Sequence, residues 1–233
     1  MAEGRRYFIS IAVLIAGLLI IYTMAPRVMA YGVMQGGAST ISDLGRDKDV
    51  LAHDVSHAIS GRQASLRWFE RGRTHLEIAI LYLVLADNPK FSGSLRKSFL
   101  TKSIAAFRKG LALEPRKPYA WMQFAQAQFR EDRRSEAVKA YMEMSYIVAP
   151  QEPRIVVTRV HLGFRAQKLL DRKLRAKIRE DIRLYLKHQP RQLTFFARRS
   201  FALPWLTDIA KDDPALIREF YRQFLQLPPP GQS

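Results

Sequence analysis

The longest stretch without a polar break lies at the start of the chain. Tyr7 to Ala25 reads YFISIAVLIAGLLIIYTMA, 19 residues without a charge. A helix of that length is about 28 Å long, which matches the hydrocarbon core of a bilayer. The run is apolar on every side, whereas a helix on a globular core keeps a polar face. Residues 7–25 are therefore predicted as a transmembrane helix acting as a signal anchor. Arg5 and Arg6 precede it, and Pro26 to Gly45 contains a single basic residue, Arg27. Positive charge stays on the cytoplasmic side. Residues 1–6 are thus expected as a cytoplasmic tail, and the rest of the chain as an extracytoplasmic (periplasmic) part tied to the inner (cytoplasmic) membrane by one span. The alternative is a cleaved signal peptide with Val28-Met29-Ala30 as the cleavage site, although an h-region is usually only ~7–15 residues long.

Beyond the span the pattern changes to helical periodicity with little strand signal, so the fold is predicted as all-α. Residues 26–41 are rich in glycine and small residues, and predict a loose linker. Residues 42–101 predict helices and a loop. Leu44, Val50, Leu51, Val55, Ala58 and Ile59 form an early apolar set, and Gly61 and Gly72 are candidate breaks. Leu76 to Ala86 is apolar enough for a buried helix but too short to span, and it contains Glu77. Asn88-Pro89 ends it, and Lys90 to Phe99 reads as a polar loop. After Pro153, residues 154–227 predict a basic helical array. Ile155 to Leu170 and Asp171 to Gln189 are expected as helices, the second closed by Pro190. Leu170, Leu174, Ile178, Ile182 and Leu186 recur every four residues as its buried stripe. Helices over Phe195–Leu203 and Asp213–Leu225 follow, and residues 228–233 form a Pro-rich tail.

Between these blocks the punctuation repeats. Pro115 and Pro118 recur 35 residues later as Pro150 and Pro153, and Phe107 recurs as Tyr141 after 34. A period of about 34 residues with helix, turn, helix punctuation is that of the tetratricopeptide repeat. Residues 102–153 resemble that family position by position. Ser103, Phe107, Gly110, Leu111, Leu113 and Pro115 resemble the second helix and terminator of one repeat. Trp121, Phe124 and Ala125 resemble the opening of the next, and Ala137 and Tyr141 its second helix. Gln128 stands where the family has tyrosine, and Met144 where it has a small residue. The resemblance implies an array of antiparallel helical hairpins, with Phe107, Trp121, Phe124 and Tyr141 filling grooves and Gly110, Ala125 and Ala137 allowing close approach. Pro115 and Pro150 would end helices. It also implies a concave groove for a peptide segment, with Gln126, Phe129 and Arg130 as candidates. An isolated repeat cannot bury its own face, so flanking helices must stack on it. The tail, with Ala149-Pro150-Gln151-Glu152-Pro153, a following Arg-rich helix and the Asp212-Asp213-Pro214 helix start, resembles the C-terminal helices of envelope-anchored repeat proteins of bacterial polysaccharide synthesis.

Composition narrows the function. The chain has 233 residues, 38 Lys and Arg against 21 Asp and Glu, a net charge of +17, and no cysteine. Disulfides, thiol nucleophiles and cysteine metal sites are excluded. Residues 151–200 hold 14 Lys and Arg against 4 Asp and Glu. Arg172, Arg175, Arg179, Arg183 and Lys187 recur at three- and four-residue steps along one helix side. They form a candidate surface for an acidic glycan or phospholipid, or a solvated face whose stems cover apolar surface. No nucleic-acid-binding module is present. His53 and His57 are four apart, as in a zinc site, but no third ligand follows and the neighbour is Asp54 instead of Glu. Glu131, Asp132, Glu136 and Glu143 are expected in surface ion pairs. No phosphate loop, nucleophile elbow or nucleotide fingerprint occurs, and no cofactor is implied. The expectation is a non-enzymatic scaffold for a partner protein. A direct binder of anionic glycan or lipid is the alternative, and a metal hydrolase a second one.

Overall fold

The computed structural model describes residues 2–46 and 49–226, with side chains from residue 11 onward. The side chains of Arg5 and Arg6 and the Pro-rich tail lie outside the described residues. Every regular element among the described residues is helical: twelve α-helices and two short 3-10 turns. The chain divides into two compact units, residues 1–115 and 116–233. The division falls inside the segment that resembles the repeat.

The first unit opens with α1 (Ala2–Met34), which runs through Pro26. A 3-10 turn (Gln35–Gly37) leads to α2 (Ala38–Leu44), then α3 (Ala52–Leu66), α4 (Gly72–Asp87) and α5 (Gly93–Leu113). The loose linker expected over 26–41 is instead helical and packed. Ala30 is 3% exposed, and Gly37 and Thr40 are buried. Glycine here serves close approach. A Cβ on Gly37 would lie 2.6 Å from the Ala58 Cα of α3, and one on Gly61 would meet the Val33 carbonyl at 3.2 Å. The same composition signals flexibility or tight packing, and only the partner helix decides between them.

Arg62 locks this junction. Its Nε donates to Glu77 Oε2 at 2.8 Å, and its Nη1 donates to the Ala58 carbonyl at 3.2 Å and the Gly37 carbonyl at 3.5 Å. Glu77, the charge inside the apolar run of α4, is thus the counter-ion of a buried arginine. Gly72 opens α4 and lies against α5. A Cβ there would fall 2.9 Å from the Gly110 carbonyl, and one on Gly110 would fall 3.0 Å from the Gly72 carbonyl. Further along, Ser103 Oγ donates to the Ala79 carbonyl at 2.7 Å. The polar loop expected over Lys90–Phe99 shrinks to five residues before Gly93. Ser92, read as loop material, is the N-cap of α5 and accepts from Leu95 N at 3.3 Å.

The second unit contains α6 (Pro118–Glu131), α7 (Glu136–Val148), α8 (Pro153–Arg165), a 3-10 turn (Gln167–Leu169), α9 (Arg172–His188), α10 (Pro190–Arg199), α11 (Leu203–Ala210) and α12 (Pro214–Gln226). Proline stands at the first helical position of α6, α8 and α10, where its fixed φ fits and its missing N–H costs nothing. Pro190 therefore opens α10 as well as closing α9. The helix expected over Ile155–Leu170 stops at Arg165, and the 3-10 turn follows. Trp121, Phe124 and Tyr141 cluster between α6 and α7, with the Phe124 and Tyr141 rings stacked at 4.0 Å. The stripe on α9 is buried from Leu174 to Leu186, and Leu170 packs partly buried beside it.

Candidate functional site

The arginine face of α9 begins at Asp171, which caps the helix by accepting from Leu174 N at 2.8 Å and pairs with Lys139 at 2.6 Å. The Lys139 hydrogen bond and the Leu174 amide hold its carboxyl below the usual range. From there the side chains reach across to α11 and the turn before α12. Arg175 pairs with Asp208. Arg179 pairs with Asp212 at 2.8 Å and donates from Nε to the Ile209 carbonyl at 2.7 Å. Arg183 pairs with Asp213 and Glu180. Asp213 also caps α12, accepting from Leu216 N at 3.1 Å. Its carboxyl lies below the usual range, first through that amide and then through Arg183, and the Arg183 guanidinium is raised by Asp213 and then Glu180.

These contacts alter the expected rail. Arg175, Arg179 and Arg183 are spent on an internal clamp, while Arg172 and Lys187 lie exposed at the two ends of α9. The charge count over 151–200 stops short of Asp208, Asp212 and Asp213, so a balanced cluster looked one-sided. Beside the clamp is an open cleft of about 660 Å³ lined by Arg183, Lys187, Asp213, Glu219 and Gln223.

The groove candidates separate. Phe129 is 4% exposed and belongs to the core, with the Arg165 and Arg133 guanidinium carbons 5.4 and 5.9 Å from its ring centre. It is no groove residue, because the α6 face that carries it turns inward. Gln126 is half-buried and Arg130 exposed on the same helix. Among the repeat positions, Phe107 and Ala125 are fully buried, Phe124 nearly so, Gly110 is pressed against Leu76, Ala137 and Tyr141 are half-buried, and Pro115 and Pro150 are exposed. His53 is exposed and sits 3.5 Å from Asp54, and His57 lies against Gly36. Among the described residues no three His, Asp or Glu side chains converge as a metal site.

The most buried polar cluster carries no motif in the sequence. Arg159 of α8, wholly buried, donates to Ser145 Oγ at 3.1 Å and to the carbonyls of Ser145, Ala149 and Pro150 at 2.6, 2.7 and 3.3 Å. These carbonyls lie in the last turn of α7 and the two residues after it, and the Ser145 carbonyl also accepts from the Ala149 amide at 3.1 Å. The guanidinium carbon lies 4.0 Å from the Tyr146 ring centre, and Tyr146 Oη donates to Asp181 Oδ2 at 2.5 Å. Arg159 Nη1 is 3.8 Å from Asp181 Oδ1. Burial pushes Asp181 up to about 7, raises Tyr146, and lowers Arg159. The cluster ties α7, α8 and α9 together. Its signal in the sequence was position: Arg159 and Asp181 occupy apolar stripes, between Ile155 and Val160 and between Ile178 and Ile182.

No protein-family model, no characterised protein and no solved structure matches this chain.

Proposed function

We propose that this protein is a membrane-anchored, non-enzymatic scaffold that holds a partner protein on its helices outside the cytoplasm. The carrying observation is the first helix: it is long and apolar enough to cross a bilayer, with a mean hydropathy of 2.0 and none of its apolar window buried. That helix leads without a loose tether into a packed helical unit. A tether to the bilayer raises the effective concentration of any client held there.

The tetratricopeptide-like reading of the helices draws on their pairing. α4 pairs with α5, α6 with α7, and α8 with α9, each pair joined by a short connection. Gly72 facing Gly110, and Ala79 facing Ser103, fit a hairpin built on small residues. The setting implied by the resemblance is an envelope assembly, such as one for polysaccharide synthesis or export. The reading as a binder of anionic polymers draws less support, because Arg175, Arg179 and Arg183 already have carboxylate partners.

Crosslinking the intact protein in its native membrane tests the scaffold. Recovery of one defined protein that survives high salt is expected; recovery of lipid or glycan alone would replace the scaffold by the anionic reading. Protease added to spheroplasts should cut beyond residue 45, and full protection would reverse the orientation.

A further inference from the structure

The residues next to the end of the span form a cluster of their own. Arg27 is the first charged residue after the apolar run, two positions beyond Ala25. Its guanidinium carbon lies 5.1 Å from the centre of the Phe69 ring. Phe69 belongs to the corner between α3 and α4, residues Arg67 to Arg71. The Arg71 guanidinium approaches the same ring at 6.0 Å. The corner is held in shape by the Ser65 carbonyl, which accepts from the amides of both Trp68 and Phe69 at 3.0 Å. Trp68 is 49% exposed, and Arg27, Arg67 and Arg71 are exposed too, the last two on the same corner. The one acid of the corner, Glu70, is engaged by His75 Nε2 at 3.2 Å.

The Arg27–Phe69 contact fixes the level of this corner. Whatever depth the end of the span has in a bilayer, the α3–α4 corner shares it. An exposed indole on a corner that carries exposed arginines suits one environment above others. Trp sits at the headgroup level, where one side is apolar and the other wet. Arg presents a planar fork that matches phosphate oxygens. Val28 and Tyr31, 67% and 62% exposed, lie on the turn of α1 that follows Arg27.

We propose that Trp68, with Arg27, Arg67 and Arg71, is a docking surface for the phospholipid headgroups of the bilayer that α1 crosses. The anchor then has two parts: α1 holds the unit to the membrane, and the corner sets its tilt against the surface. The packed junction at Gly37 and Arg62 makes the two parts one rigid piece. This inference rests on α1 spanning the membrane, and the experiment separates the two claims.

The full-length protein is reconstituted into lipid nanodiscs of phosphatidylcholine with phosphatidylglycerol, with and without acyl-chain-brominated lipid, which quenches only indoles at the membrane. Three tryptophans are present. The expected result is quenching in the native protein that largely disappears in Trp68→Phe. In the double variant Arg67→Gln, Arg71→Gln, with helicity unchanged by circular dichroism, quenching should fall at least twofold in discs containing phosphatidylglycerol. Equal quenching in native and Trp68→Phe protein inside the discs overturns the docking surface and leaves the anchor standing. No loss in the arginine double variant overturns the headgroup pairing. Failure of the intact protein to enter the discs overturns the anchor, and the docking surface with it.

Discussion

Tyr146 and Asp181 meet at 2.5 Å inside the second unit, with 5% and 1% of their surfaces exposed. The phenol donates and the carboxylate accepts, and burial raises the Asp181 pKa from 3.8 to about 7. A folded-state pKa above the unfolded one means that the folded chain holds this proton more tightly. The contribution is complete below 3.8 and is lost as pH climbs through about 7. Thermal unfolding followed from about pH 4 to pH 8 should therefore show stability falling with pH from this group. Asp181→Asn should flatten that part of the profile, and an unchanged slope would remove Asp181 as its source.

Removing the phenol tests the same bond from the other side. Tyr146→Phe leaves Asp181 Oδ2 buried without its donor, which costs about 1–3 kcal/mol. The carboxyl loses a hydrogen bond that favours its charged form, so its pKa should climb further. Carbon-detected titration of the Asp181 carboxyl by NMR reads this directly, and a fall would contradict the assignment of donor and acceptor.

Arg159 should matter more to stability than any surface arginine. It donates to three carbonyls in and just after the last turn of α7 and faces Asp181. Removing one partner of a buried charged cluster costs about 3–5 kcal/mol. Arg159→Ala is expected to lose that much in urea unfolding, while Arg172→Ala changes stability by less than about 0.5 kcal/mol. A similar small effect at both positions would make the buried cluster energetically idle.

What was readable in the sequence follows from what periodicity encodes. The apolar run of α1, the four-residue stripe of α9 and the helix breaks at Pro115 and Pro150 depend on neighbours in the chain, and they reappear in the structure. Roles set by distant partners did not show. Gly37 reads as slack until Ala58 of α3 lies against it, Ser92 reads as loop until it caps α5, and Arg175 reads as free charge until Asp208 arrives 33 residues later. Arg159 and Asp181 were visible as charges on apolar stripes, but neither the α7 carbonyls nor their mutual approach could be read from one strip of sequence.

Phe201 is the one non-glycine residue with positive φ among the described residues, at 52°. It follows α10 where the Ala202 amide donates back to the Ala197 carbonyl at 3.0 Å, a helix end that glycine normally fills. Its side chain is 86% exposed, so little packing offsets the strain. Phe201→Gly is expected to stabilise the protein by about 1 kcal/mol, the left-handed penalty of an L residue. Destabilisation would show that the left-handed backbone at Phe201 carries no such strain.

The packed junction beyond the span gives a mechanical prediction. A Cβ on Gly37 would have to displace the backbone of Ala58, at 2.6 Å. Gly37→Leu should cost about 1–3 kcal/mol by overpacking. It should also free the segment from 35 to 46, raising its hydrogen–deuterium exchange while α5 stays protected. Unchanged exchange in that segment would show that the junction is no rigid link.

The clamp on α9 predicts a gain of binding in place of a loss. Asp208 and Asp212 neutralise Arg175 and Arg179, and an arginine held by a carboxylate is a poorer partner for a phosphate or sulfate. Replacing both acids by asparagine removes two negative charges and releases both guanidinium groups from their carboxylates, while Arg179 keeps its bond to the Ile209 carbonyl. The variant Asp208→Asn, Asp212→Asn should elute from a sulfated polysaccharide column at higher salt than the native protein. Arg172→Gln with Lys187→Gln, which removes the exposed charges at the ends, should elute earlier. If the arginines were a free rail already, the asparagine variant would gain little and Arg175→Gln with Arg179→Gln would lose most of the retention. The order of elution therefore decides whether α9 offers its charge to a ligand or spends it on holding α11 and α12.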